Sequence, residues 1–182
     1  MSEYAERYAK VAAQFTARVE AVPPGAWERP APCDGWVARD IIRHLVEWIP
    51  GFLAGAAGVD LPAGPSVDDD PVKAWAALDA GLRGLLADPA ATREYDMPMG
   101  RMSLERAVDM IGTNDVFLHT WDLARATGQD ETLDPDEVHG MLAGIEPMDE
   151  AMRASGHYGP RVPVPDDADE QTRLIAFIGR QP

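Results

Sequence analysis

Three residues stand where helical periodicity asks for apolar side chains: His44, Asp115 and His119. Asp115 and His119 lie four apart on a segment whose expected core face reads Leu104, Val108, Ile111, Asp115, Leu118, His119 and Asp122. Residues at this spacing project from adjacent turns of one helix face. An aspartate and a histidine so placed can grip one ion from a single rigid element, as the His-x3-His pair of metalloproteases does. His44 lies on a second stripe, Val37, Ile41, His44, Leu45, Trp48 and Phe52. Facing helices of a bundle bring such residues together. Two imidazoles and one carboxylate would leave coordination positions open, as catalytic metal sites do. Two alternatives stand beside this: a hydrogen-bonded core histidine at 44, and a buried Asp115–His119 ion pair. Burying Asp115 without a partner is costly, so it requires a cation or a donor.

Further polar residues give weaker signals. Asp122 is a candidate for orienting a ligand histidine or for pairing with Arg125, and Arg153 for orienting a substrate. His139, among charged residues near a helix start, is expected to be exposed. His157, in the loop 156–160, is a candidate fourth ligand. Cys33 precedes a helix start, where a thiolate would be stabilised; with no catalytic partner adjacent in the sequence, a structural role is expected. The run Asp68-Asp69-Asp70 lacks calcium-loop spacing and reads as solvated loop. The five tryptophans are expected mainly in the core.

The elements that must position these residues are helices separated by Gly, Pro and Asp punctuation. Apolar spacing predicts helices over 2–21, 36–52, 103–127 and 134–152, and a short final helix around 174–178. Another runs from Asp70 as N-cap, with Pro71 at its first position, to just before Pro89. Asp34 or a neighbour should cap the second helix, and Pro50 should bend or end it. Pro147 should bend the fifth. A Gly/Pro/Asp-rich loop covers 55–70, and no period-2 strand is expected. The pattern implies an all-α fold: a four-helix bundle with an additional short helix and a loop-rich C-terminal tail. The 182 residues suggest one domain, 1–182, with 155–182 as a tail on the bundle.

Composition narrows the partners. Sixteen Lys+Arg against 31 Asp+Glu give a net charge of −15, which repels phosphate backbones and anionic lipid. No nucleic-acid or membrane partner is expected. No apolar stretch approaches the roughly 18 residues of a membrane span, and no secretory h-region follows the N-terminus. The single cysteine excludes a disulfide framework. A cytoplasmic location is the expectation.

Two segments carry a family resemblance. The first runs from Cys33-Asp34-Gly35-Trp36 to His44-Leu45, the second from Asp115 through His119-Thr120-Trp121-Asp122 to Thr127-Gly128. They resemble the two signature stretches of the mycothiol-dependent maleylpyruvate isomerase N-terminal domain family. That family belongs to the DinB/YfiT-like superfamily of metal-binding four-helix bundles. The tail, 151–180, is similar to an actinobacterial subgroup described as metal-binding proteins. The resemblance implies a divalent metal on His44, Asp115 and His119: zinc, with nickel as the alternative. It implies mycothiol as co-substrate, used as a metal-bound thiolate by a transferase or isomerase acting on a small electrophile. The alternative is a non-enzymatic metal- or small-ligand-binding protein. Members of the superfamily commonly dimerise, so a homodimer is a further expectation. Two departures bear on the reaction. The isomerase has glutamate where this chain has Asp115. It also has a second, C-terminal substrate-binding domain, whereas this sequence ends at Pro182, so maleylpyruvate isomerisation itself is not expected here.

Overall fold

A computed structural model describes residues 1–98, 100–154 and 159–182. They fall into two compact units, Met1–Asp130 and Glu131–Pro182.

The first unit is a four-helix bundle. Helix α1 (Glu3–Glu20) starts where the Ser2 hydroxyl accepts from the Ala5 amide, and it buries Tyr8, Val11, Ala12, Phe15 and Val19. Helix α2 (Ala38–Ala57) follows a loop tied by a bridge between Pro30 and Val37. Its cap is Val37 rather than Asp34, with the Asp40 carboxylate reaching back to the Val37 amide at 2.9 Å. Pro50 neither bends α2 to a halt nor ends it. The helix continues to Gly58, whose left-handed φ of 64° supplies the stop. A proline removes one intrahelical bond, but Ile49 and Leu53 on either side of it are buried, and that packing holds the helix together.

Helix α3 (Pro71–Ala87) opens as expected, with Asp70 accepting from the Lys73 amide at 3.0 Å. Asp68 is exposed, as read from the sequence, and pairs with Arg43, while Arg39 donates to the Val67 and Asp68 carbonyls at 3.1 Å each. The loop before α3 is therefore pinned to α2. After a 3-10 turn comes an antiparallel hairpin that alternation did not reveal, β1 (Glu94–Met97) and β2 (Gly100–Ser103). Each strand has four residues and buries one methionine, Met97 or Met102, which is too short a period to register in sequence.

The expected helix 103–127 is interrupted. It comprises α4 (Leu104–Ala107), a π-helical segment Val108–Thr113 and α5 (Asn114–Thr127). Backbone angles stay helical across both junctions, so the three parts form one rod. Within the bundle α1 packs on α3 and α5, and α2 packs on the same two. Trp75 of α3 meets Phe15 of α1 edge-on, with ring centroids 4.6 Å apart, and its indole N–H donates to Thr16 Oγ1 at 2.8 Å.

The second unit holds α6 (Pro135–Ile145), a 3-10 turn Glu146–Met148, α7 (Asp149–Ala154) and α8 (Glu170–Phe177). The expected helix 134–152 breaks at the 3-10 turn that contains Pro147. Helices α6 and α8 pack together, and Gln171 bridges the Leu133 amide and the Glu131 carbonyl. The division at 130 falls well before the tail boundary at 155 drawn from the sequence.

Trp75 and Trp121 are the largest fully buried side chains of the first unit. Trp75→Ala should cost about 3–5 kcal/mol of stability, read by urea denaturation.

Candidate metal centre

His44 comes from α2, and Asp115 and His119 from α5. Neighbouring packing of the two helices brings all three together, with donor atoms all within 4.8 Å of one another. The Asp115 carboxylate lies between the imidazoles. Its Oδ2 is 2.9 Å from His44 Nε2 and its Oδ1 is 3.5 Å from His119 Nε2. Aspartate's shorter reach is therefore sufficient, one oxygen serving each ring.

Two details differ from the periodicity argument, and both open the site. His44 is not on the core stripe of α2. That stripe is Ile41, Ile42, Leu45, Ile49 and Leu53, while His44 and Trp48 form its edge, with the His44 side chain 28% exposed. Asp115 is not in the core either, its side chain being 23% exposed. The π segment is the reason. An α-helix turns about 100° per residue, which would return Asp115 to the direction of Leu104. The wider π turn accommodates an extra residue, so the buried positions become Val108, Gly112, Thr113, Val116 and Phe117. Asp115 moves to the shoulder of the helix beside α2, and the centre acquires a solvent-facing side.

The buried side is provided by His119 and Asp122. His119 Nδ1 lies 2.9 Å from Asp122 Oδ2, and Asp122 is fully buried. This bond places a proton on Nδ1 and turns Nε2 towards Asp115. Asp122 thus has the orienting position that the sequence offered it, the arrangement by which carboxylates fix metal-ligating histidines. Cys33 Sγ donates to the same oxygen at 3.4 Å. A structural thiol was expected, but not its partner, which comes from across the fold. Cys33, His119 and Asp122 form a second group of potential ligands; their mutual hydrogen bonds satisfy one another without an ion.

Aromatic rings enclose the imidazoles. Trp36 lies 5.2 Å from His44 and 5.9 Å from His119, nearly parallel to the latter, and the two imidazoles lie 5.1 Å apart. Trp48, 39% exposed, stacks at 6.4 Å on His44. Trp75 and Trp121 are core residues as expected; Trp36 and Trp48 belong to the site. Only their closeness in sequence to Cys33 and His44 hinted at this.

The remaining candidates belong to the second unit. His139 is exposed and pairs with Glu170 at 3.0 Å. Arg153 is engaged by Asp149, by the Gly159 and Phe177 carbonyls and by the Phe177 ring. His157 falls outside the described residues.

The family described as mycothiol maleylpyruvate isomerase N-terminal domain matches residues 8–124, a span that holds most of the four-helix bundle and both sides of the centre. The chain belongs to this family. It is also similar to uncharacterized proteins of two Mycobacterium tuberculosis strains, CDC 1551 / Oshkosh and H37Rv. Each is 31% identical over 157 residues, covering 83% of this chain and 83% of the relative. No solved structure matches. The all-α bundle is of the DinB-like kind, and no helix among the described residues is long and apolar enough to cross a membrane.

The electrostatics of the centre favour a cation. Burial is the largest influence on His119 and opposes its charge. The Asp115 carboxylate and the hydrogen bonds to Asp122 and Cys33 outweigh it and push the pKa from 6.5 up to about 10. In metal-free protein His119 thus stabilises the fold fully below about pH 6.5, and this contribution is lost as pH rises through about 10. In chelator-treated samples, the stability advantage of the wild type over His119→Gln should shrink steadily from pH 6 to pH 10. A gap independent of pH would contradict this electrostatic account.

Proposed function

We propose that the protein is a divalent-metal-dependent enzyme that transfers or isomerises a small electrophile with mycothiol as thiol co-substrate. The metal is zinc, with nickel as the alternative, and its ligands are His44 Nε2, Asp115 and His119 Nε2. The observation that carries this reading is one carboxylate facing two imidazole Nε2 atoms on the solvent-open side of a bundle.

The donor set fits such an ion. Two nitrogens and one carboxylate suit zinc, nickel and iron, and three protein ligands leave positions for other ligands. The proton that His119 holds without metal marks the place where positive charge is required. When bound, the ion would supply Lewis acidity that favours the thiolate of a coordinating thiol near neutral pH. The rest of the work falls to the chain. Asp122 keeps His119 in the tautomer that offers Nε2. Trp36 shields the imidazoles from water on one face. His44, at the exposed edge, borders the approach for thiol and electrophile. A chain of net charge −15 disfavours highly anionic electrophiles. A cytoplasmic location fits a low-molecular-weight thiol and a single reduced cysteine.

Elemental analysis of untagged protein should give about one divalent metal per chain, lost in His119→Ala. Thiol conjugation, screened with mycothiol and a panel of small electrophiles, should fall by roughly three orders of magnitude or more in that variant. Bound metal without turnover across the panel would replace the enzyme by a metal-binding protein. No metal after incubation with zinc or nickel would remove the reading altogether.

A further inference from the structure

The π segment sets the rotational phase of Asp115, and one side chain from a different helix spans its ends. Arg7 of α1 donates through Nη1 to Asp109 Oδ1 at 2.7 Å and through Nη2 to Asn114 Oδ1 at 2.9 Å. Asp109 and Asn114 are also joined through the backbone: the Asn114 amide donates to the Asp109 carbonyl, the i to i+5 bond of a π turn. In this geometry residues five apart stand on one face, so a single guanidinium fork reaches both. The Asn114 amide group in turn donates to the Met110 carbonyl at 3.1 Å, inside the same turn. The Arg7–Asp109 pair is half-buried, with side chains 25% and 16% exposed, so solvent screens it less than a surface pair. Asp115 is the next residue after Asn114.

We propose that Arg7 is a positioning residue of the metal centre. Its fork clamps the π turn open, and the open turn holds Asp115 at the shoulder of α5, facing His44, instead of in the core. The proposal rests on the metal reading for its consequence but not for the clamp itself. Lysine would keep the charge pair with Asp109, but as a point donor it cannot bridge to Asn114. Stability and metal affinity should therefore separate between the two replacements.

The test compares Arg7→Met and Arg7→Lys with wild type in two measurements. In metal-free protein, hydrogen exchange at the amides of 112–116 should quicken in both variants. Zinc affinity, by competition with a chromogenic chelator, should weaken about 10- to 100-fold in both, the range for partners that orient metal ligands. Arg7→Lys should retain more thermal stability than Arg7→Met. Thr16→Val is the control on the same helix. It loses the Trp75 hydrogen bond and some stability, and should leave zinc affinity unchanged. Unchanged exchange in Arg7→Met overturns the clamp. Faster exchange with wild-type zinc affinity overturns the positioning role, as does a loss of affinity that merely tracks stability across all three variants. If the wild type binds no zinc, the proposed function fails while the exchange data still decide whether Arg7 holds the turn.

Discussion

A carboxylate placed between two imidazole nitrogens must be met by a donated proton or a cation, and much of this bundle is arranged around that requirement. Asp115 faces His44 from one helix and His119 from its own. His119 is further tied to the fully buried Asp122, which also accepts from Cys33. The fully buried Asp122 places negative charge beside His119 at the closed end of the cluster, where water is scarce. In such surroundings an unpaired charge is costly. A proton on His119 meets the requirement in part, and a divalent cation would meet it with ligands from both helices.

The requirement constrains helix packing. His44 and Asp115 reach each other because α2 and α5 are neighbours, and because each offers the edge of its apolar stripe instead of the centre. On α2 this follows from the phase of Ile41, Leu45 and Ile49. On α5 it follows from the π segment upstream, which displaces the buried positions by one residue. A regular helix would have buried Asp115 beside Leu104, with no open side to the cluster. Irregular turns of this kind carry a cost in hydrogen-bond geometry. Here the cost accompanies the placement of Asp115.

Membership of the mycothiol maleylpyruvate isomerase N-terminal domain family agrees with the extent of the first unit: the match ends within α5, inside the second signature stretch and past the centre's last residue, Asp122. The bundle and its centre are thus the shared part. Residues 131–182 form their own compact unit, in which Gln171 ties α8 to the residues before α6, and Arg153 of α7 and Arg161 lie over the Phe177 ring of α8.

The candidate residues were legible in sequence because a polar side chain breaks an apolar pattern. His44, Asp115, His119 and Asp122 all appeared that way, and so did the helices whose caps, Ser2, Asp70 and Asp134, recruit their own backbone amides. These are local effects, decided within a few residues. Long-range pairings were not legible. The contact of Cys33 with Asp122 spans 89 positions, and Trp36 meets His119 only after α2 and α5 have packed. The π turn was hidden because its ends are joined by Arg7 from another helix, and because apolar spacing on either side of it looks regular. Periodicity can say which residues leave water; it cannot say by how many degrees a helix is wound between them. Residue type and spacing alone marked the candidate donors and the all-α bundle. The phase of α5, the open edge at His44 and the buried partners of His119 were decided by packing between helices far apart in the chain.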